Sequence, residues 1–216
     1  MSNRMQVELL HYTPLHVCSH AIRTCWNSHN KSDKGKLDES LIYRVGNINK
    51  HKSVLEHLFY SFDIKGISRA CLQELARHRM ASLSVKSTRY TLKELNKEDS
   101  FLLPLCKEAY KRAEKFIVLQ GHELMDFNAI HALENLRLAI KQGIANDIAK
   151  YIIPECYKTE LVWSINARSL QNFLELRTAK VALKEIRELA YNVFTALPQE
   201  HLYLFSGCLR DDFVTN

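Results

Sequence analysis

Glycine and proline are scarce, six and four in 216 residues, which excludes collagen-like, linker-rich and low-complexity architectures and leaves little turn chemistry for an all-β design. Long helices should therefore dominate. No apolar run approaches the roughly 18–20 residues of a membrane span; the longest stretches, such as Phe116 to Leu119, are short. Met1 to Leu10 carries no apolar signal core, so a cytoplasmic protein with no membrane partner is expected. The cysteines (Cys18, Cys25, Cys71, Cys106, Cys156 and Cys208) show no Cys-x-x-Cys spacing, which argues against a zinc knuckle or a disulfide framework and for buried free thiols. With no Gly-x-Gly-x-x-Gly and no Walker loop, any nucleotide site must be built from side chains.

What is present is an ordinary globular balance, 46% hydrophobic and 25% charged, enough for one large domain with a real core. A single domain over 1–216 is the expectation, since neither an internal repeat nor a clear boundary stands out. The formal charge of +6 and a pI near 9.0 favour anionic partners: nucleic acid, phosphates, or anionic cofactors and metabolites.

Local patterns place the elements. Val7 to His11 suits a strand, and Thr13-Pro14 suits the cap and first position of a helix reaching about Trp26. Asn27 to Lys36 reads as a polar loop. Leu37, Leu41, Ile42, Val45 and Ile48 have helical spacing, Leu58 to Ile64 reads as a strand, and Ser68 caps a helix to about Arg79. Helices follow over Lys107 to Asp126 and Asn128 to Lys141, the second stopped by Gly143. Leu161, Trp163 and Ile165 alternate as in a half-buried strand, and two last helices cover about Ser169 to Arg177 and Val181 to Ala196. The fold class is α+β, mostly helical, with a small sheet of three or four strands.

Three constellations carry chemistry. The first is Arg77-His78-Arg79, followed after seven residues by Ser87 and then Thr88-Arg89. Cations at a helix C-terminus can simply complement the dipole, with Glu74 as their partner. Three consecutive residues sweep about 200° of helix, however, so at least one must turn toward a partner. The hydroxyls of Ser82, Ser84, Ser87 and Thr88 with Arg89 offer short donors and a guanidinium, which suits phosphate.

The second runs from Asn166 to Arg177. Leu170, Phe173, Leu174 and Arg177 share one face, so a permanent charge stands at an apolar-face position and needs an anionic or carbonyl partner unless it snorkels. Arg168, Asn172 and Glu175 share a polar face, which is either solvated or suited to an amide-rich ring such as a flavin. The third is His51 to His57, where Ser53 and Glu56 fit a capping box and the two histidines lack zinc spacing, so no metal is expected.

These segments resemble the flavin-dependent thymidylate synthase family: Arg77-His78-Arg79 with Ser87, then Asn166-Ala167-Arg168-Ser169-Leu170 and Arg177. The likeness spans most of the chain, with Ala21 to Trp26 similar to the family's first helix, Ser53 to His57 to its strand-entry segment, and Lys150 to Arg177 to its second signature. It implies a homotetramer, a small mixed or antiparallel sheet, and reductive methylation of dUMP to dTMP with FAD, NADPH and methylenetetrahydrofolate. By the same resemblance, Glu74, Arg77, Lys86, Ser87, Thr88, Arg89, Lys150 and Arg177 are dUMP contacts. Ser53, Arg77, His78, Arg79, Asn166, Arg168 and Asn172 are FAD contacts. Arg177 is the principal catalytic residue, favouring ionisation of the uracil at N3. Ser87 clamps the nucleotide, a role that fits a hydroxyl with no adjacent base better than that of a nucleophile.

Two departures stand out, Ser84 and Val85, at positions where the family pattern commonly has Asn and Glu; separately, Glu74 stands where the family often has Gln. Conventional uracil methylation uses a cysteine in a Pro-Cys-His context, and the nearest string here is Pro154-Glu155-Cys156. A reduced flavin makes such a thiol unnecessary. The rival reading is a basic helical protein that binds nucleic acid or a nucleotide without turnover, through Arg77, Arg79, Lys86 and Arg89; binding to nucleic acid would weaken steeply with salt.

Overall fold

The computed structural model describes residues 5–102 and 107–210. Four strands, β1 (Gln6–Tyr12), β2 (Phe59–Ser68), β3 (Ala81–Val85) and β4 (Lys158–Asn166), lie in the order β1-β2-β4-β3. The sheet is antiparallel. Thr13 N–H donates to Phe59 O (2.9 Å), Ala167 N–H donates to Leu58 O (2.8 Å), and the Ser61 and Ser164 hydroxyls meet at 2.8 Å, so numbering rises on one strand as it falls on its neighbour. In β4 the alternation holds, with Leu161, Trp163 and Ile165 buried and Val162 exposed.

The helices in chain order are α1 (Leu15–Cys25), α2 (Lys36–Tyr43), α3 (Arg69–Ala76), α4 (Thr88–Thr91), α5 (Lys107–Ala113), α6 (Glu123–Lys141), α7 (Asn146–Ala149), α8 (Ala167–Arg177) and α9 (Lys184–Thr195). Ser68 caps α3 as its position suggests, its hydroxyl accepting from Cys71 N–H at 3.0 Å.

Several local expectations give way to longer-range bonding. Thr13 does not cap α1; its hydroxyl accepts from Phe59 N–H (3.1 Å), while Pro14 takes the cap position. The helix expected to run to Ile48 changes at Arg44 into a π turn (Arg44–Ile48), leaving Leu37 and Ile48 exposed. Gly46 lies in that turn, where an added Cβ would stand 2.8 Å from Leu55 Cδ2, so the turn depends on a residue without a side chain. The helices expected over Lys107 to Asp126 and Asn128 to Lys141 divide elsewhere: α5 stops at Ala113, and α6 runs from Glu123 through to Lys141. Between them Ile117 bridges to Tyr157, and buried Asp126 accepts from Gln120 N–H (2.7 Å) and Gly121 N–H (2.9 Å), with Gly121 at φ 74°. The hydroxyl-rich stretch after Arg79 is not a loop but the edge strand β3, which leads into the bond from Lys86 N–H to Glu160 O at 2.9 Å. The capping box at Ser53 does not form. Residues Lys52–His57 make a 3₁₀ turn without a side-chain cap, and Glu56 pairs with Arg168.

The described chain divides into two compact units of interleaved segments. The first takes Lys65–Glu74 and Ser84–Leu161, and its core is built on Leu95, Phe101, Ile117, Leu133 and Leu136. Within it Glu134 and Arg137, both buried, form a two-pronged pair at 2.8 and 2.6 Å, and Glu134 also accepts from Phe101 N–H and the Ser100 hydroxyl. The second unit takes Gln6–Ile64, Leu75–Leu83 and the chain from Val162 on. Its core is aromatic: Tyr60, Phe62, Trp163, Phe173 and Phe205 are all fully buried. The Tyr60 hydroxyl meets His201 Nδ1 at 2.7 Å, and burial lowers the His201 pKa below the usual imidazole value.

Cys18, Cys71 and Cys208 are buried free thiols, Cys156 is half-buried, Cys25 is exposed against expectation, and Cys106 lies outside the described residues. Burial pushes the Cys18 thiol up to about 12. Among the described residues no helix is long and apolar enough to cross a membrane, and no three His, Cys, Asp or Glu side chains are grouped to hold a metal ion.

Candidate functional site

The second unit contains a cleft of about 610 Å³, within the usual range for small-molecule sites. Helix α8 forms one wall. It starts cleanly because Asn166 caps it, Oδ1 accepting from Ser169 N–H at 2.9 Å, and it is anchored because Leu170, Phe173 and Leu174 are buried. With that face in the core, Arg168, Asn172, Glu175, Leu176 and Arg177 line the cleft.

The opposite lining comes from the segment after α3. That helix ends at Ala76, so Arg77-His78-Arg79 is not helical and its side chains are not distributed by helix geometry. His78 is the one that turns inward, buried at 8% exposure, while Arg77 and Arg79 are exposed and line the cleft with it. One partner of Arg177 is this imidazole: Arg177 Nε–H donates to His78 Nε2 at 2.9 Å. A guanidinium cannot accept, so Nε2 is the acceptor and the ring proton sits on Nδ1. The ring is held edge-on to Phe173, centroids 5.0 Å apart at 79°, and Phe173 in turn packs against Trp163.

Among the described residues, five cationic side chains, Lys52, Arg77, Arg79, Arg168 and Arg177, line the cleft with one carboxylate, Glu175. Two of the five are tied down at the rim, Arg168 to Glu56 at 2.7 Å and Lys52 to Glu175 at 3.8 Å. Such a concave cationic surface concentrates anions. Exposed Met80 and Leu176 add apolar edges, and Asn172 adds an amide, so the lining suits a phosphate-bearing group with a planar ring.

Two of the residues expected at a flavin, Asn166 and Ser53, are not among the residues that line this cleft. Asn166 has its side-chain oxygen committed to the helix cap. Ser53 is exposed on the 3₁₀ turn, and its neighbour Lys52 lines the cleft instead. Lys52, Met80, Glu175 and Leu176 were not singled out from sequence as site residues; Glu175 was legible as part of the polar face of α8, whereas Met80 and Leu176 carry no chemical signature.

The remaining nucleotide candidates, apart from Arg77 and Arg177, belong to the first unit or to α3. Lys86 is paired with Glu160 at 3.0 Å and approaches Glu94 at 3.8 Å. Ser87 is half-buried at the start of α4, its carbonyl accepting from the Thr91 hydroxyl, and Thr88 is half-buried beside it. Arg89 is exposed, its guanidinium 5.6 Å from the Tyr90 ring centre, and its carbonyl accepts from Asn146 Nδ2 at 2.7 Å. Lys150 is exposed on a 3₁₀ turn (Lys150–Ile152) beside exposed Tyr151, and Glu74 is half-buried near the end of α3.

The family described as thymidylate synthase complementing protein matches residues 8–201. A flavin-dependent thymidylate synthase of Wolinella succinogenes is 58% identical over 210 residues, covering 96% of this chain and all of that one. A Helicobacter pylori enzyme of the same description is 56% identical over 95% of this chain and all of its own. The crystal structure of thymidylate synthase X from Helicobacter pylori with FAD and dUMP superposes with a TM-score of 0.92 at 56% identity, over 96% of this chain and 100% of that one. A UMP/dUMP methylase from Streptomyces cacaoi, at 21% identity and a TM-score of 0.70 over 94% and 95% of the two chains, shares the fold.

Proposed function

This chain belongs to the flavin-dependent thymidylate synthase family, and we propose that it methylates dUMP to dTMP with methylenetetrahydrofolate as carbon donor and NADPH as reductant, through bound FAD. The observation that carries the reading is the meeting of Arg77 and Arg177, one hundred residues apart in sequence, on a single cationic cleft within one protomer. That arrangement fits the FAD and dUMP present in the Helicobacter pylori crystal structure.

In this reading Arg77, Arg79, Arg168 and Lys52 hold FAD phosphates, while Asn172 and the apolar edges of Met80 and Leu176 take up its ring. His78 borders the same ring pocket. The side chains of Asn166 and Ser53 contribute indirectly, the first by fixing the start of α8. Bound flavin supplies the hydride that completes the methyl group. The residues of this chain supply binding, orientation and charge. Arg177 stabilises negative charge developing on the uracil at N3 and its carbonyl oxygens, which makes C5 the better nucleophile. Glu74, Lys86, Ser87, Thr88, Arg89 and Lys150 bind dUMP, with the Ser87 hydroxyl as an anchor for the nucleotide rather than a nucleophile. Homotetrameric assembly and a cytoplasmic location belong to the same proposal.

The test is direct. Purified protein supplied with FAD should turn yellow and show flavin absorbance, and with dUMP, NADPH and methylenetetrahydrofolate it should form dTMP. Colourless protein that neither takes up FAD nor consumes NADPH overturns the proposal.

A further inference from the structure

We propose that His78 is a positioning residue for Arg177, holding the guanidinium by accepting its Nε–H, and that this works only while the imidazole is neutral. The inference deepens the function proposed above and rests on it for the consequence to catalysis, but the contact itself stands on geometry alone. The bond is 2.9 Å long, and it joins two residues 99 positions apart. Both partners have rigid supports. Phe173 and Arg177 stand four residues apart on α8, so one helix face supplies both the ring that orients His78 and the guanidinium that His78 receives. His78 is also fixed from its own side, its N–H donating to Leu75 O at 3.1 Å.

An arginine has several rotatable bonds, and a guanidinium that must meet a flat pyrimidine benefits from having its Nε edge committed in advance. The imidazole does this as a neutral acceptor, through Nε2. Protonation reverses the arrangement. Both ring nitrogens of a cationic imidazole are donors, so Nε2 would point a proton at the Arg177 Nε–H. Among the described residues, the charged side chains that line the cleft with the pair are Arg77 and Arg79 on the segment of His78, Lys52 on the 3₁₀ turn, and Arg168 and Glu175 on α8 with Arg177 itself. A second positive charge there would add to a lining in which cations outnumber carboxylates.

His78→Gln and His78→Asn separate this role from simple packing, because a Gln amide oxygen reaches the place of Nε2 and an Asn amide does not. The variants are compared with the wild-type enzyme loaded with FAD, from about pH 5 to 8, the range in which imidazole ordinarily changes charge. The expected result for Asn, measured at saturating FAD, is a kcat lowered on the order of 10²-fold, the scale of a reacting group displaced by about 1 Å. Gln recovers most of that loss, and the fall in wild-type kcat toward acid pH disappears in it. A second readout needs neither cofactor nor turnover: proton–nitrogen correlation spectra should show a protected Arg177 Nε–H in the wild type and in Gln, but not in Asn. Equal kcat values for Asn and Gln, an acid limb that persists in Gln, or an Arg177 Nε–H unchanged in Asn would each overturn the inference. Failure of the wild type to bind FAD or form dTMP, with the spectra as expected, would instead defeat the functional reading and leave the contact standing.

Discussion

Arg137 in the first unit and Arg177 in the second are both arginines near the end of a helix, and their partners differ in kind. Arg137 is 4% exposed and meets Glu134 through two parallel bonds, while its Nη1 reaches the Glu98 carbonyl at 3.4 Å. Arg177 is half-buried and directs its Nε to the neutral nitrogen of an imidazole at the edge of a cleft. The first is charge matched by charge inside a core, a structural clamp that ties α6 to the Glu98–Phe101 segment. The second is charge steered by a neutral acceptor toward a concave surface. The two arginines thus differ in what receives the Nε–H, a carboxylate in the core for Arg137 and an imidazole at the cleft for Arg177.

The sharpest way to break this contrast is to truncate each arginine in turn. Arg177→Ala should leave far-ultraviolet circular dichroism and thermal unfolding near wild type, yet lower dTMP formation by about 10³-fold or more, the upper range for losing one charge-stabilising donor. A variant with full activity would remove Arg177 from the mechanism. Arg137→Ala should do the opposite. It leaves the buried Glu134 carboxylate without its main partner, at a cost of about 3–5 kcal/mol. For a chain of this size that lowers Tm by roughly 6–20 °C. A melting temperature within a degree of wild type would show that the pair is dispensable to the fold.

The two pairs should also respond differently to acid. The Arg137 guanidinium, outweighing the cost of burial and helped by Phe101 N–H and the Ser100 hydroxyl, holds the Glu134 carboxyl down at about 2 against an ordinary value of 4.5. A carboxyl whose folded value is depressed adds stability above its ordinary value, and that increment is lost as pH falls from about 4.5 toward 2. The increment is up to about 3 kcal/mol by linkage. Unfolding measured across this window should steepen in the wild type and flatten in the double variant Glu134→Gln with Arg137→Met. Parallel curves would mean that the pair does not set acid stability. The bond from Arg177 Nε–H to His78 Nε2 contains no carboxyl group to protonate in that window.

The contrast also marks how far the sequence could be read. Where a pattern is local and backed by burial it was legible: the alternation Leu161, Trp163 and Ile165 in β4, the Ser68 cap, and the apolar face of α8 that makes Arg177 conspicuous. Where a competing partner lies far along the chain it was not. Thr13 bonds to Phe59 instead of capping, Asp126 captures two turn amides and splits a helix, and β3 exists because β4 offers it an edge. The need of Arg177 for a partner was readable, but its expected form was anionic or carbonyl. That His78 receives the Nε–H could not be read, because the two residues lie 99 positions apart and meet only when two distant segments of the second unit fold around Phe173. Asn166 shows a role that resemblance did not indicate: its side-chain oxygen caps its own helix.

The smallest effect is expected at the cleft's rim, where Arg168 meets Glu56 at 2.7 Å with both side chains about half exposed. Water competes for both partners, and holding two flexible side chains together costs entropy, so an exposed pair of this kind contributes about 0.2–1 kcal/mol. Glu56→Gln should therefore shift Tm by no more than about 4 °C, and less at high salt, where screening weakens the pair already. Its influence on ligand should run the other way. With the neighbouring carboxylate neutralised, Arg168 retains its charge and the cleft becomes more cationic, so FAD affinity measured by flavin absorbance should stay level or rise slightly. A loss of stability as large as that of Arg137→Ala would place Glu56 in the fold rather than at the rim and would erase the distinction between charges that clamp the core and charges that face a ligand.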